Sequence, residues 1–327
     1  MTDISLLHVT DLAPGVTPQD LGLLRLQAGQ HPEGRVHLSA ASGLVRSGSH
    51  LFVVADDELY LGVFDDLTAK RPTLLPGRLV ALLAGELPHD KAARKKAKPD
   101  LESLALLPPL PGYAEGALLA LGSGSQPNRE TGVLLGLATP GVLSGHTALV
   151  NLAPLYAPLR AHFADLNIEG AWVADGALVL LQRGNQGDAR SACIRFDWSL
   201  VAPWLVGRQP LPPAAHTIQV LNLGRLKGVP LSLTDGVPLA QGDWMFSAVA
   251  EDTADSVADG ACVGSALGIV SAQGHLKWCG ELYGAPKVEG IAVQARADGW
   301  QVTMVTDPDD PARASQCLRA FLPASAV

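Results

Sequence analysis

The chain has 327 residues, of which 47% are hydrophobic and 17% are charged, and its formal net charge is −8. This composition allows a large apolar core and excludes a disordered chain, while the negative charge argues against nucleic acid as a main partner. No stretch approaches the roughly 18 consecutive apolar residues of a membrane-spanning helix, so a membrane is not an expected partner either.

The sequence of the first fifteen residues bears on the cellular compartment of the protein. The stretch MTDISLLHVTDLAPG has acidic residues early, no basic segment and only a short apolar run, which is unlike a secretory signal. A cytoplasmic location is therefore expected. No two cysteines form a CxxC pair, so reduced structural thiols are expected. They are Cys193, Cys262, Cys279 and Cys317.

Five segments of the chain follow one pattern. Each begins with a small or acidic residue, and an apolar strand, a turn that usually contains Gly, a second apolar strand, a polar loop and a third strand follow. A repeat of about 60 residues with evenly spaced strands is typical of a β-propeller. The segments are 41–65, 101–137, 168–198, 234–270 and 288–321.

A fourth strand candidate follows each segment except the last. The chain start offers the missing strand, ISLLHVTDL at 4–12, which would close the last blade. We therefore predict an all-β, five-bladed propeller of four-stranded blades as a single domain over 1–327. Six blades, with 13–40 in an extra blade, are the alternative; a β-sandwich or an α/β protein is less favoured. The fourth-strand candidates are 78–85, 147–154, 216–224 and 275–284.

The residue that begins the first strand of each segment is a candidate metal ligand. The first strand of a propeller blade lines the axis, so these residues should form a ring at one channel mouth. Converging carboxylates repel one another unless they take up protons or bind a cation, and oxygen ligands suit Ca²⁺, with Mg²⁺ possible. Alternatively, the carboxylates cap backbone N–H groups. The five residues are Ser42, Glu102, Glu169, Asp235 and Glu289.

The loops after the second strands should lie on the same face as this ring, because the two strands are antiparallel. Asp56, Asp57 and Asp307 are candidate general bases there. Arg129, Arg183 and Asn185 are candidate substrate contacts, although a salt bridge to an acidic loop would also explain Arg183. The basic segment DKAARKKAK at 90–98 is either a phosphate clamp or a solvated helix. A second helix candidate, 153–163, falls in another linker.

The ordered residues Ser42, Glu102, Glu169 and Glu289, together with the stretches SGLVRSGSHLFVVADDE and KVEGI, resemble the calcium-activated nucleotidase (apyrase) family. The resemblance implies a five-bladed propeller whose channel calcium takes one side-chain ligand per blade, in the order Ser, Glu, Glu, Ser, Glu. For the fourth blade the chain offers Ser232, Thr234 or Asp235, and the spacing favours Asp235. Similar motifs occur in phytase-like and SdiA-regulated propellers, and the whole chain resembles an uncharacterised bacterial group of these.

Two functions remain open. The first is a metal-dependent hydrolase that cleaves a phosphoester, phosphoanhydride, ester or lactone of a small, anionic or neutral molecule over the channel mouth. The second is a non-catalytic binding propeller with a structural channel metal. The chain lacks a GxSxG nucleophile elbow and the HExxH zinc motif, which argues against an α/β-hydrolase and a zinc site.

Overall fold

The computed structural model describes residues 3–8, 12–67, 72–185, 187–252, 260–284 and 287–326, and of residues 3–8 it describes the backbone only. Among these residues no helix combines the length and the apolar character that a membrane crossing requires.

The strands form five sheets, and each sheet is one blade. Before the first blade lie β1 (Asp3–His8), β2 (Ala13–Val16) and β3 (Gln19–Leu23). Blade 1 holds β4 (Ala41–Ser47), β5 (His50–Ala55), β6 (Tyr60–Asp65) and β7 (Arg78–Ala81). Blade 2 holds β8 (Leu101–Leu107), β9 (Ala117–Gly122), β10 (Thr131–Thr139) and β11 (Val142–Asn151).

The remaining blades follow in chain order. Blade 3 holds β12 (Ile168–Ala174), β13 (Ala177–Gln182), β14 (Ser191–Asp197) and β15 (Thr217–Asn222). Blade 4 holds the short β16 (Arg225–Leu226), β17 (Val229–Pro238), β18 (Trp244–Asp252), β19 (Ala261–Val270) and β20 (Leu276–Leu282). Blade 5 holds β21 (Val288–Arg296), β22 (Gly299–Thr306) and β23 (Gln316–Pro323).

The five blades close into a ring. The innermost long strands β4, β8, β12, β17 and β21 each contact the next one around the axis, and β21 contacts β4. Five apolar clusters lie between the five pairs of neighbouring blades, so every blade buries both of its faces. The prediction of a five-bladed all-β propeller is confirmed. The six-bladed alternative is wrong, because residues 13–40 supply outer strands and bridges rather than a sheet of their own.

The last blade is closed by a different N-terminal strand from the predicted one. β3 pairs antiparallel with β23 and completes blade 5, whereas β1 pairs parallel with β15 of blade 3 and β2 pairs parallel with β20 of blade 4. The prediction for 4–12 is therefore wrong for its described part, 4–8, and residues 9–11 lie outside the described residues. An edge strand buries little of its surface, so β3, with Leu21 as its buried side chain, gives a weak sequence pattern.

Helices occupy the links between blades. α1 (Lys91–Ala97) and α2 (Ala153–Tyr156), which continues as the 3₁₀ helix Ala157–Ala161, fall where the sequence predicts helices. A further helix, α3 (Trp198–Leu205), is not predicted. Its N-cap Asp197 accepts a hydrogen bond from the Ser199 N–H, and this bond stabilises the start of the helix. The helix follows β14 directly, so the sequence pattern of the strand extends into it. Three further 3₁₀ turns are Pro127–Arg129, Ala240–Gly242 and Ala324–Ala326.

Every innermost long strand has a register shift at the start of the blade. At each shift, one or two residues of the inner strand have no partner in the ladder with the second strand. These residues lie between Ala41 and Leu44, between Leu101 and Ser103, between Ile168 and Gly170, between Leu233 and Asp235, and between Val288 and Gly290. A bulge adds one or more residues to one strand and redirects its side chain. The residues at the bulges are Ser42 with Gly43, then Glu102, Glu169, Thr234 and Glu289.

Glycine follows the bulge where neighbouring innermost strands approach most closely. A Cβ atom on Gly290 would lie 2.4 Å from the Ser42 carbonyl oxygen and 2.9 Å from the Leu44 nitrogen. A Cβ atom on Gly170 would lie 3.1 Å from the Cα atom of Asp235. The Glu-Gly pairs of the sequence therefore combine a bulged carboxylate with a residue small enough for the backbone of the next blade.

We predict that Gly290→Ala destabilises the ring, because the contacting atoms at Gly290 are backbone atoms that cannot rotate away. The expected loss in the free energy of unfolding is about 1–3 kcal/mol, measured by chemical denaturation. The matched control is Gly132→Ala in β10, where the added Cβ meets the flexible Leu152 side chain at 3.3 Å. Equal losses in the two variants would contradict the close approach.

Candidate functional site at the channel mouth

The bulges identify which side chains are equivalent around the axis. In blade 4 the bulged residue is Thr234, so the predicted metal ligand Asp235 is one residue out of register with Glu102, Glu169 and Glu289. Asp235 instead accepts hydrogen bonds from the Gly236 N–H at 2.7 Å and the Ile291 N–H at 2.8 Å. This is the backbone-capping alternative, realised between blades 4 and 5.

Ser42 and Thr234 also bond within the protein. The Ser42 hydroxyl donates to the Ala40 carbonyl at 3.2 Å, and the Thr234 hydroxyl donates to the Val288 carbonyl at 2.9 Å. The carboxylates of Glu102, Glu169 and Glu289 are therefore the members of the predicted ring that neither cap backbone N–H groups nor donate to backbone carbonyls of described residues.

One side of the mouth belongs to blades 1 and 2. Carboxylate oxygens of Asp56, Asp100 and Glu102 all lie within 4.8 Å of one another. The Lys98 ammonium pairs with Asp56 and lies 2.8 Å from Asp100 Oδ1, and the Arg129 guanidinium lies 2.8 Å from Asp100 Oδ2. Three carboxylates and two cations thus meet here.

Glu102 differs from the other members of this group because it accepts no hydrogen bond from a described residue. Burial raises the pKa of the Glu102 carboxyl well above its ordinary value, and the charges of Glu169, Asp100 and Asp56 raise it further. Lys98 acts in the opposite direction but does not outweigh them. The surroundings of Glu102 thus disfavour its charged form unless a proton or a cation compensates it.

The other side of the mouth belongs to blades 3, 4 and 5 and is organised by Arg183. Its guanidinium lies 3.2 Å from Glu169 and 3.6 Å from Glu289, and it also pairs with Glu251. The Lys287 ammonium lies 3.3 Å from Glu289 and 3.5 Å from Glu251. These contacts join the inner strands and loops of three blades through two cations.

The two cations do not compensate all of these carboxylates. Burial raises the pKa of Glu169 to about 7, although Arg183 opposes the shift. Burial also raises the pKa of Glu289, and neither oxygen of that carboxylate has a hydrogen-bond partner. For Glu251 the effect of burial is outweighed by Arg183 and Lys287, so its pKa lies below the ordinary value.

Carboxylates outnumber cations in the described inner group of the mouth. Six carboxylates face four cations, and one of these cations, Lys287, also pairs with Asp307 and Asp309. Protons or a divalent cation would reduce the excess negative charge. The carboxylates are Asp56, Asp100, Glu102, Glu169, Glu251 and Glu289; the cations are Lys98, Arg129, Arg183 and Lys287.

A cleft with a volume of about 170 Å³ adjoins this group between blade 1, blade 5 and α1. Its walls bring the predicted general bases Asp56, Asp57 and Asp307 together with the predicted basic segment. The side chains from that segment are Lys91, Arg94, Lys95 and Lys98.

Asp57 lies between cations in the wall of the cleft. Its Oδ2 atom is 3.5 Å from Arg35 and 3.7 Å from the Nε atom of Arg94, and its buried Oδ1 atom has no hydrogen-bond partner. Burial and the neighbouring Asp56 and Glu58 raise the pKa of Asp57 to about 6, against the opposing effect of Arg35 and Arg94. Asp57 is thus close to its protonation midpoint at neutral pH.

Comparison with protein families identifies a match over residues 94–311, which is two thirds of the chain, to a family described as "Family of unknown function (DUF6910)". The chain belongs to this family. A search of curated proteins found no match. The family thus groups the chain with relatives of the same sequence type without assigning an activity.

Solved structures with the same fold include enzymes. An α-L-arabinofuranosidase from Podospora anserina, solved with cellotriose, is 10% identical over 96% of this chain and 100% of that chain, with a TM-score of 0.50. The catalytic domain of a Coprinopsis cinerea α-L-arabinofuranosidase is 10% identical over 94% and 98% of the two chains, with a TM-score of 0.49. A glycosyl hydrolase from Bacteroides ovatus is 8% identical over 97% and 93%, with a TM-score of 0.40. The likeness at these identities is one of fold.

The predicted substrate contacts have partners inside the protein. Arg183 is enclosed by its three glutamates, Arg129 bonds to Asp100 and to the Lys95 carbonyl, and Asn185 donates to Asp165 at 2.5 Å. The salt-bridge alternative therefore describes Arg183 in this structure. A role of these three residues in substrate binding stays a prediction.

Asp100 and Lys287 are central to the mouth but are not predicted as site residues. Each precedes a bulged glutamate, Glu102 or Glu289, by two residues. Both lie just before the strand begins, and Asp100 has a left-handed φ of 56°, so the alternation of side chains along a strand could not have indicated them. Lys98 belongs to the predicted basic segment, yet its partners are carboxylates of the mouth.

We predict that Arg183→Met destabilises the protein by about 3–5 kcal/mol at pH 7, because three buried carboxylates lose their shared cation. The difference from the unaltered protein should narrow as the pH falls. The pKa of Glu251 lies below its ordinary value in the folded protein, so its stabilising contribution is present at neutral pH and is lost through acid titration. Because Arg183→Met removes a cation that pairs with Glu251, the variant lacks most of the stabilisation by Glu251 at every pH.

Denaturation curves at pH 7 and at a pH below 4.5, the ordinary pKa of a glutamate, would measure this. The matched control is Arg190→Met, because Arg190 is 53% exposed and pairs with Asp188 on the surface. Its expected loss is under about 1 kcal/mol. A small, pH-independent loss in Arg183→Met would contradict the role assigned to the guanidinium.

Proposed function

We propose that the protein is a divalent-cation-dependent hydrolase that cleaves a small anionic ester, first of all a phosphoester, in the cleft at the channel mouth. The observation that carries the proposal is that the cleft adjoins the carboxylate group of the mouth. The cleft holds Asp56, Asp57 and Asp307 beside the cationic side chains of α1, and Asp56 is shared with the carboxylate group of the mouth.

The carboxylates of the mouth fit a divalent cation. Oxygens of Asp56, Asp100 and Glu102 that lie within 4.8 Å of one another can share one cation at about 2.4 Å, which is a typical Ca²⁺–oxygen distance. Glu102 has no competing hydrogen-bond donor among the described residues, and carboxylates outnumber cations in the inner group. Glu102 and Glu169 are also ligand positions that the resemblance to the apyrase family implies. Ca²⁺ is therefore favoured, with Mg²⁺ as the alternative.

The full set of five predicted ligands fits less well. Asp235 and Ser42 bond within the protein, and Glu289 faces Arg183 and Lys287. Asp56 and Asp100 also pair with cations, Lys98 and Arg129, but Glu102 beside them has no hydrogen-bond partner among the described residues. We therefore assign the proposed cation to the side of blades 1 and 2, next to the cleft. When bound, it would supply a positive charge that polarises an oxygen of the ester.

The residues of the chain supply the remaining functions. Asp57 is the group that takes a proton from the attacking water, since it lines the cleft and its pKa of about 6 suits a general base at neutral pH. The water oxygen adds to phosphorus, the bond between phosphorus and the ester oxygen breaks, and the alcohol leaves with a proton from solvent. Lys91 and Lys98 provide positive charge on the α1 side of the cleft for the anionic oxygens.

We predict that the purified protein hydrolyses members of a panel of alkyl and aryl phosphoesters when Ca²⁺ or Mg²⁺ is present. Asp57→Asn should lower the turnover number at least about 100-fold, because a general base contributes on that order or more. The control is Asp175→Asn in the turn between β12 and β13, away from the mouth, where φ is 50° and Asn is readily accommodated. Parallel assays with carboxylic esters and lactones test the neutral substrates.

No turnover on any of these substrates would contradict the hydrolase. A specific observation then favours the binding propeller: Arg183 and Lys287 connect carboxylates of three blades, which is what a rigid scaffold requires. In that case a phosphate-bearing ligand should bind in the cleft without being cleaved.

A further inference from the structure

A second cavity lies directly beside the cleft. It has a volume of about 180 Å³ and is lined by blade 1 and by the segment that leads into α1. His89 and Arg94 line both cavities, so these two side chains form the partition between them. A ligand that passes this partition would occupy both spaces.

Arg94 connects the two cavities through its contacts. Its Nη2 atom donates to the Asp57 carbonyl at 2.8 Å on the cleft side, and its Nη1 atom lies 3.5 Å from Glu33 on the other side. The residue is 9% exposed, yet its Nε–H has no hydrogen-bond partner. That Nε atom faces Asp57 Oδ2 at 3.7 Å, so the guanidinium is held between the carboxylates of the two cavities.

The second cavity has an acidic and partly apolar lining. The buried Glu58 is compensated, since both of its oxygens lie within 3.2 Å of His31 Nε2 and Arg35 lies 2.9 Å away. Glu86 is different, because it is exposed and has no ion pair or hydrogen bond with a described residue. The uncompensated charge of this cavity is therefore negative.

An aromatic ring completes that cavity. Tyr60 lines it, and the His31 ring packs edge-on at a centroid distance of 5.7 Å, which holds the tyrosine ring in place. Leu59 and Leu87 add apolar surface. A ring beside a free carboxylate is a favourable setting for an ammonium group on a short carbon chain.

The cleft has the opposite free charge. Lys91 lines it, is exposed, and forms no ion pair or hydrogen bond with a described residue. Lys91 and Glu86 thus lie on opposite sides of the His89–Arg94 partition, while Asp310, which lines the cleft from the blade 5 side, accepts a hydrogen bond from the Ala312 N–H.

We propose that the two cavities form one bipartite site for a small zwitterionic phosphoester, with the phosphoryl group in the cleft and the ammonium group of its alcohol beside Glu86 and Tyr60. This inference rests on the proposed function for the cleft and names its substrate class. Hydrolysis then breaks the bond between phosphorus and the ester oxygen, water supplies the new oxygen on phosphorus, and the products are inorganic phosphate and the amino alcohol.

The test is calorimetric binding of matched probes to the full chain. O-phosphoethanolamine carries both charges, ethyl phosphate lacks the ammonium group, and ethanolamine lacks the phosphate. We expect O-phosphoethanolamine to bind roughly tenfold more tightly than ethyl phosphate, from one exposed ion pair and one cation–π contact. Glu86→Gln should reduce this preference, because only the contact with Tyr60 remains, while the affinity for ethyl phosphate, which does not reach Glu86, should stay unchanged.

The control is Glu115→Gln, which changes an exposed glutamate in the turn between β8 and β9, outside both cavities. It should keep the preference. Equal binding of the two phosphoesters, or an unchanged preference in Glu86→Gln, would overturn the bipartite site and leave the hydrolase proposal standing. Absence of binding by every phosphate probe would overturn both.

Discussion

The neutralisation of carboxylates at the channel mouth is the constraint on which the rest of the structure depends. Five inner strands meet at the axis, and the bulges bring charged residues to a region where an uncompensated charge is costly. The cations that pair with these carboxylates are Lys98, Arg129, Arg183 and Lys287. Because these cations come from loops and linkers of different blades, the same contacts that neutralise charge also hold the blades together.

The bulges of the inner strands determine both the backbone geometry and the position of the charged side chains at the mouth. A bulge at the start of each inner strand displaces one or two residues from the ladder, and the small residue after the bulge allows the next strand to approach. Where Asp235 replaces the glycine, its carboxylate fills the space and bonds to the N–H of Ile291 in the next blade. The mouth is therefore narrow because of its glycines and charged because of its bulges.

The sequence predicted the repeat because each blade carries its own periodic pattern of apolar strands and turns. It misplaced the closing strand, since pairing at the outer edge of a blade depends on tertiary contacts that β3 scarcely shows in its pattern. It also chose Asp235 over Thr234, because a one-residue bulge shifts the register without altering the spacing of apolar residues. The salt bridge of Arg183 to an acidic loop was one of two alternatives, whereas Lys287 was not predicted, since its partner Glu251 lies in another blade.

The central claim is that the mouth holds one divalent cation through Glu102 and its neighbours, and calorimetric titration of the chelator-treated protein with Ca²⁺ tests it most directly. The account predicts one equivalent of bound Ca²⁺ per chain, with release of protons because carboxyls with raised pKa become ligands, and loss of this binding in Glu102→Gln. Absence of Ca²⁺ and Mg²⁺ binding in the unaltered protein, or binding that Glu102→Gln leaves intact, would contradict it.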